Sequence, residues 1–341
     1  MKKILLLALS TLIFTSCSKS DDPFVKDKPT YNYSNGILFV NEGSFQGNNA
    51  SIGFSSFDYN NVKTDIYNDD ERVLGDVAQS IGFNSDKAFV VVNNSNKIEV
   101  VHRYSFEHVA TISENLNSPR YTAFAGNKLY VTNMGSKSVS VYDLKDYSFI
   151  KSIVLNSPVD NIVSQNNKLY VQQAAFGEGN TIAVIDSSTD EVIKTFDFND
   201  SVQGLVAHTG FVYVISSIEH RSNFYKINAT EDKIITEFTS TKVPNARNLR
   251  MDNNILYYTS NSNVHSWTTT ATEINDKPVM SVKGDNTGYG FMYAFDVINN
   301  QFLISNALDF VKPSVVDIYS LAGKKVNTFN AGRNTNHFYK N

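Results

Sequence analysis

The chain has 341 residues, 41% of them hydrophobic and 19% charged, which is the balance of a folded protein with a sizeable core rather than of a disordered chain. A single cysteine excludes an internal disulfide framework. Thirty basic residues face 34 acidic ones, a net charge of −4, which argues against nucleic acid as a partner.

Lys2 and Lys3 precede an apolar run from Ile4 to Phe14, the order of a secretory signal and too short a run to cross a bilayer comfortably. The run ends in Phe14-Thr15-Ser16-Cys17, which resembles the lipobox of bacterial lipoproteins. That resemblance implies removal of residues 1–16 and lipidation of Cys17; an ordinary cleaved signal with an incidental cysteine is the alternative. Ser18-Lys19-Ser20-Asp21-Asp22 is similar to the signal that sends Bacteroidota lipoproteins to the outer face of the outer membrane, so an exterior-facing anchor is expected. Cleavage would leave 28 basic and 34 acidic residues, a net charge of −6. Residues 17–33 read as the lipidated cysteine and a flexible tether, and 34–341 as one domain.

Length alone favours two domains, but internal repetition overrides it. Apolar strands of one pattern begin at Ile37, Ala88, Leu129, Leu169, Val212, Leu256 and Phe302, spaced by 51, 41, 40, 43, 44 and 46 residues. That period is close to the length of a four-stranded propeller blade. In the clearest copy, strand A is expected at Arg120–Ala125, B at Lys128–Asn133, C at Ser138–Tyr142 and D at Phe149–Leu155. No Walker-type or dinucleotide-type glycine loop and little amphipathic helix interrupt the strands. The expected fold is therefore all-β, a seven-bladed β-propeller. The first copy has no A strand before Gly36, and the chain ends in an extended piece around Thr335–Lys340, so the C-terminal strand is expected to close the ring.

In such a ring the B–C connections and the starts of the A strands surround one mouth of the central funnel, where binding sites form. Four B–C connections are long and carry apolar or aromatic residues: Gly43–Asn49 with Phe45 and Gln46, Gln173–Glu178 with Phe176, Ser217–Arg221 with His220 and Arg221, and Ala307–Lys312 with Phe310. The A-strand starts offer an inner ring of Gln79, Arg120, Tyr121, Asn161, Gln203, Arg247, Asn248, Tyr289 and Asn336. Amides pair with amides, and arginine forks grip phosphate or carboxylate, so this ring suits a large amide-bearing or anionic ligand. The same polar groups can instead satisfy one another, and the phenylalanines can fold back between blades. Trp267 reads as structural. The six histidines show no metal-ligand spacing, and Asp69-Asp70-Glu71 lacks the glycine and alternation of a calcium loop. No metal, cofactor or catalytic residue is expected.

Leu38-Phe39-Val40-Asn41-Glu42-Gly43-Ser44-Phe45, the recurring Lys-Leu-Tyr-Val strands and the lipoprotein leader together resemble the YncE-like surface propellers of Bacteroidota, among them the BtuG-type cobalamin-binding lipoproteins. The resemblance implies a non-enzymatic collector of a scarce, bulky solute, a corrinoid first and a ferric siderophore second, that hands it to a TonB-dependent outer-membrane transporter. A propeller enzyme of the lactonase or lyase kind, which would show several funnel carboxylates, and an adhesion or scaffold module are the competing readings.

Overall fold

The computed structural model describes residues 31–67, 72–282 and 290–341. The leader, Cys17, Asp69-Asp70-Glu71 and Tyr289 lie outside the described residues.

Among the described residues, twenty-eight strands form seven antiparallel four-stranded sheets. Blade one begins with β1 (Gly36–Asn41), β2 (Ser51–Ser56) and β3 (Val62–Lys63). Blade two holds β4 (Ala78–Asn84), β5 (Lys87–Val92), β6 (Lys97–His102) and β7 (His108–Ile112), and blade three β8 (Pro119–Ala125), β9 (Lys128–Asn133), β10 (Ser138–Asp143) and β11 (Phe149–Val154). Blade four holds β12 (Ile162–Gln165), β13 (Lys168–Ala175), β14 (Glu178–Asp186) and β15 (Glu191–Asp197), and blade five β16 (Val202–His208), β17 (Phe211–Ile218), β18 (Arg221–Asn228) and β19 (Lys233–Ser240). Blade six holds β20 (Ala246–Asp252), β21 (Ile255–Ser260), β22 (Asn263–Thr268) and β23 (Met280–Ser281), and blade seven β24 (Ala294–Ile298), β25 (Gln301–Asn306), β26 (Pro313–Ser320) and β27 (Lys325–Arg333). The last strand, β28 (Thr335–Lys340), returns to pair with β1 from Ile37↔Lys340 to Asn41↔Thr335. The ring is thus a seven-bladed β-propeller closed by its C-terminal strand, as the missing first A strand implied.

Second strands such as β9 and β21 read as near-continuous apolar runs because both of their faces are covered by neighbouring blades. Outer strands such as β19 alternate, because one face meets solvent. Among the described residues the core is divided into seven apolar clusters, one at each seam between blades; the seam of blades three and four, for example, joins Tyr130 and Val141 to Leu169 and Ile185. Trp267 is buried edge-on against Tyr213 and Phe224, the structural role expected of it.

The recurring Lys-x-Tyr of the second strands acts between blades. Lys128 Nζ and Tyr130 Oη each lie 2.7 Å from one oxygen of Asp190, in the turn before β15, and Lys168 and Tyr170 hold Asp232 before β19 at 2.5 and 2.8 Å. Three turns between first and second strands use asparagine pairs, Asn166-Asn167, Asn253-Asn254 and Asn299-Asn300, all with φ between 48° and 64°. Two successive left-handed residues are what a tight hairpin of the right twist requires, and asparagine tolerates them.

The tether ends sooner than residue 33. Tyr33 is buried against Phe54 and Phe106, and its N–H donates to Tyr104 O at 2.7 Å, so this segment belongs to the seam of blades one and two.

Candidate functional site

The first strands of the blades surround an axial cavity of about 550 Å3. Gln79, Tyr121, Asn161, Gln203, Asn248 and Asn336 line it, and Arg120 reaches their network from β8. These positions from the inner ring are therefore brought together, though by long separations in sequence.

Two arginines organise the wall. Arg120 Nε donates to Asp160 Oδ1 at 2.9 Å, and its terminal nitrogen donates to Gln79 Oε1. Arginine can only donate, so the Gln79 amide must turn its nitrogen to Tyr121 Oη, 3.4 Å away. Tyr121 Oη accepts there and shares a second hydrogen bond with His337 Nε2 at 3.3 Å, in which either group can be the donor. One proton of the pair is left over in either sense, at His337 Nδ1 or at Tyr121 Oη, and His337 Nδ1 is buried and without a hydrogen-bond partner. The second arginine, Arg250, donates to Asp296 Oδ2 at 3.0 Å.

Glu42 differs from the other two carboxylates of the wall. It accepts from neutral groups, Tyr293 Oη at 2.8 Å and Asn336 Nδ2 at 2.9 Å, and forms no ion pair among the described residues. Burial raises its pKa above the usual glutamate range, against those hydrogen bonds and the field of Arg120. Burial also raises the Asp296 pKa, despite Arg250 beside it. Tyr121 is pushed up to about 12, chiefly by burial and then by Asp160. His337 is pushed down to about 3, first by burial and then by Arg250 and Arg120.

The His337 shift has a definite sign for stability. The unfolded chain takes up this proton near pH 6.5 and the folded chain only near 3, so the contribution is complete above pH 6.5 and is lost as pH falls towards 3. Glu42 and Asp296, raised, act with the opposite sign just above the ordinary carboxylate range. Between pH 7.5 and 4.5 the wild type is expected to lose about 2 kcal/mol more stability than His337→Gln, as two pH units below the free histidine value correspond to at most about 2.7 kcal/mol. Urea titrations at the two pH values measure this; equal losses would remove His337 from the linkage.

Several expected site residues stand elsewhere. Arg247 is exposed at the start of β20, hydrogen-bonded to Asn245 Oδ1, and Arg250 takes the wall position instead. The cause is a register shift between Arg247 and Arg250, one of several at the starts of inner strands. A bulge re-aims the side chains that follow it, which simple alternation does not anticipate. Arg221 is held bidentately by Asp200 at 2.8 Å through both contacts, a structural pair, and His220 is 81% exposed at the hairpin tip. The aromatic group at the start of blade seven is Tyr293, while Tyr289 is outside the described residues. The inner ring also contains three carboxylates, Glu42, Asp160 and Asp296, where an amide- and arginine-rich ring was expected. Among the described residues no group of three His, Cys, Asp or Glu side chains could hold a metal ion.

Around the mouth, two of the long B–C connections are extended hairpins rather than loops. Strands β13 and β14 pair out to Ala175↔Glu178, leaving only Phe176 and Gly177 in the turn, both with positive φ. Phe176 is 88% exposed at that tip, and Gly177 O anchors Gln203 Nε2 at 2.6 Å on the wall below. Strands β17 and β18 pair out to Ile218↔Arg221. Phe45 is 72% exposed, with Gln46 beside it holding Asp76 through its backbone N–H at 2.8 Å. Phe310 leans edge-on to Tyr293, ring centres 5.4 Å apart.

Seven blades, a polar axial cavity and projecting hairpins define a propeller whose candidate site is assembled at the axis. The chain belongs to the family described as Domain of unknown function (DUF5074), which its residues 35–339 match. No curated protein matches it significantly. Among solved structures it is similar to the computationally designed Ika8 protein (10% identity, TM-score 0.59, 89% of this chain and 90% of that one). It is also similar to the Dos1 propeller (14%, 0.58, 90% and 86%) and to Kuenenia stuttgartiensis hydrazine synthase (16%, 0.57, 73% and 84%). At these identities the likeness shows the fold alone.

Proposed function

We propose that this chain is an exported, lipid-anchored capture protein of the YncE-like, BtuG-type kind, which holds a corrinoid over the funnel and passes it to a TonB-dependent outer-membrane transporter. The observation that carries the reading is a polar cavity of about 550 Å3 beneath exposed Phe45 and Phe176. A bulky ligand with an apolar face and an amide-bearing rim would rest on the phenylalanines and direct its polar groups into the cavity. The wall carboxylates support binding over hydrolysis, because Asp160 and Asp296 are engaged by arginines and Glu42 by Tyr293 and Asn336. One observation favours a ferric siderophore as the second ligand: Arg247 makes no ion pair among the described residues, so its guanidinium is free for an anionic group.

The test is isothermal titration of the purified chain without its leader, using cyanocobalamin and an anionic ferric catecholate siderophore. Cyanocobalamin is expected to bind, and Phe176→Ala to weaken it about thirtyfold, the equivalent of about 2 kcal/mol for an interface anchor. A folded protein that binds neither compound would overturn the reading. The anchor is checked separately: Cys17→Ala should move the protein from the membrane fraction to the soluble one, and retention would overturn the anchor.

A further inference from the structure

Three groups on one side of the funnel have hydrogen-bonding capacity that the protein leaves unused. Glu42 accepts only from Tyr293 and Asn336, although an ionised carboxylate has about four acceptor sites. Asn336 is 8% exposed and lines the cavity. Its Nδ2 donates to Glu42 at 2.9 Å and faces Ala78 O and Gln79 O at 3.2 and 3.3 Å, so flipping the amide would set oxygen against three acceptors. Its Oδ1 therefore points away from them, buried and without a partner. His337, the next residue, also lines the cavity with Nδ1 unpartnered, and its hydrogen bond to Tyr121 leaves one proton of the pair, at His337 Nδ1 or at Tyr121 Oη, without an acceptor.

Unsatisfied buried groups of this kind are uncommon and costly. Asn336 Oδ1 and His337 Nδ1 are two such atoms, and with the spare acceptor capacity of Glu42 and the unpaired proton of the Tyr121–His337 pair the wall offers both acceptors and a donor. An ammonium group would bring donors only, a carboxylate acceptors only and an apolar group neither. A carboxamide brings both, two N–H bonds and one carbonyl oxygen. The other wall carboxylates, Asp160 and Asp296, are already engaged by Arg120 and Arg250 and offer no rival charged site.

We propose that Glu42, Asn336 and His337 form a carboxamide-recognition wall, which takes a primary amide of the ligand as the rest of that ligand lies over the mouth. The inference deepens the capture function and rests on it for the identity of the whole ligand, but the wall can be probed by itself. Propionamide is small enough to enter the cavity, and its five non-hydrogen atoms cap its affinity at about the micromolar level. It should be titrated into isotopically labelled wild-type protein beside propylammonium, propionate and 1-propanol, with backbone amide signals followed by NMR.

Propionamide is expected to shift the signals of Glu42 and Asn336 saturably, at least fivefold more tightly than the other three probes. Glu42→Gln and His337→Phe should each weaken it at least fivefold, whereas Lys233→Ala on the outer strand β19 should not. If the four probes act alike, or propionamide shifts signals elsewhere, the wall assignment is overturned; the wild-type comparison stands even if a variant fails to fold. Binding of propionamide here, with cyanocobalamin and the siderophore both silent, would remove the proposed ligand and keep the wall. Tight cyanocobalamin binding that Glu42→Gln leaves unchanged, with no competition by propionamide, would remove the wall and keep the ligand.

Discussion

A chain ending at Asn334 is expected to lose its cooperative unfolding transition. Removing β28 takes away the strand that covers the inner edge of β1 and leaves a row of backbone donors and acceptors facing the axis. It also removes Phe338, 2% exposed, from the seam cluster with Ile37, Phe39, Leu303 and Val316. Tyr339, whose hydroxyl accepts from Ile81 N at 3.1 Å, and Asn341, held by Arg103 Nε at 2.8 Å, go with it, so both seams of blade one are weakened. A large buried aromatic alone contributes about 3–5 kcal/mol on truncation to alanine, against a total of about 5–15 kcal/mol for an ordinary domain. The truncated chain should therefore be largely unfolded at 25 °C, and Phe338→Ala should lose about 3–5 kcal/mol in urea titration. A truncated chain that melts within a few degrees of the parent would contradict closure by β28.

Replacing Arg250 by methionine is expected to cost about 3–5 kcal/mol, because it strands Asp296 in the wall without its counter-charge. Burial already raises the Asp296 pKa with the arginine present, so the loss of hydration outweighs the attraction of the guanidinium at this site. The double replacement Arg250→Met with Asp296→Asn should lose markedly less than Arg250→Met alone, since no uncompensated charge remains. Chemical denaturation of the two single variants and the double variant measures the coupling. Strict additivity would mean that the pair does not act as a unit.

These outcomes bear on function through the same wall. Arg120 and Arg250 neutralise two of the three carboxylates, and a hydrogen-bond chain runs from Arg120 through Gln79 and Tyr121 to His337. A funnel built in this way is stiff, because each side chain is positioned by its neighbour. Asn336 and His337, two of the unpartnered groups that line the cavity, stand on the strand that also closes the ring. Stability and recognition are therefore coupled at β28, and ligand binding is expected to raise the melting temperature of the closed ring.

The architecture was legible in the amino-acid sequence because its determinants are local. Blade three was placed to within about one residue at each strand end, since period-two alternation, the Lys-Leu-Tyr-Val run and the intervening turns specify strands without reference to distant residues. Closure by the tail was equally legible, because a first blade without its inner strand leaves a deficit that only an unassigned extended segment can fill. The composition of the funnel was decided by tertiary structure. Tyr293 and Asn336 reach Glu42 across 251 and 294 positions of chain, and no spacing rule connects residues so far apart. Alternation failed where bulges changed the phase, so Arg250 stands on the wall and Arg247 at the rim. Arg221, a candidate by its position in a hairpin, proved to be held by Asp200, because only the folded ring shows which charged groups have already found each other.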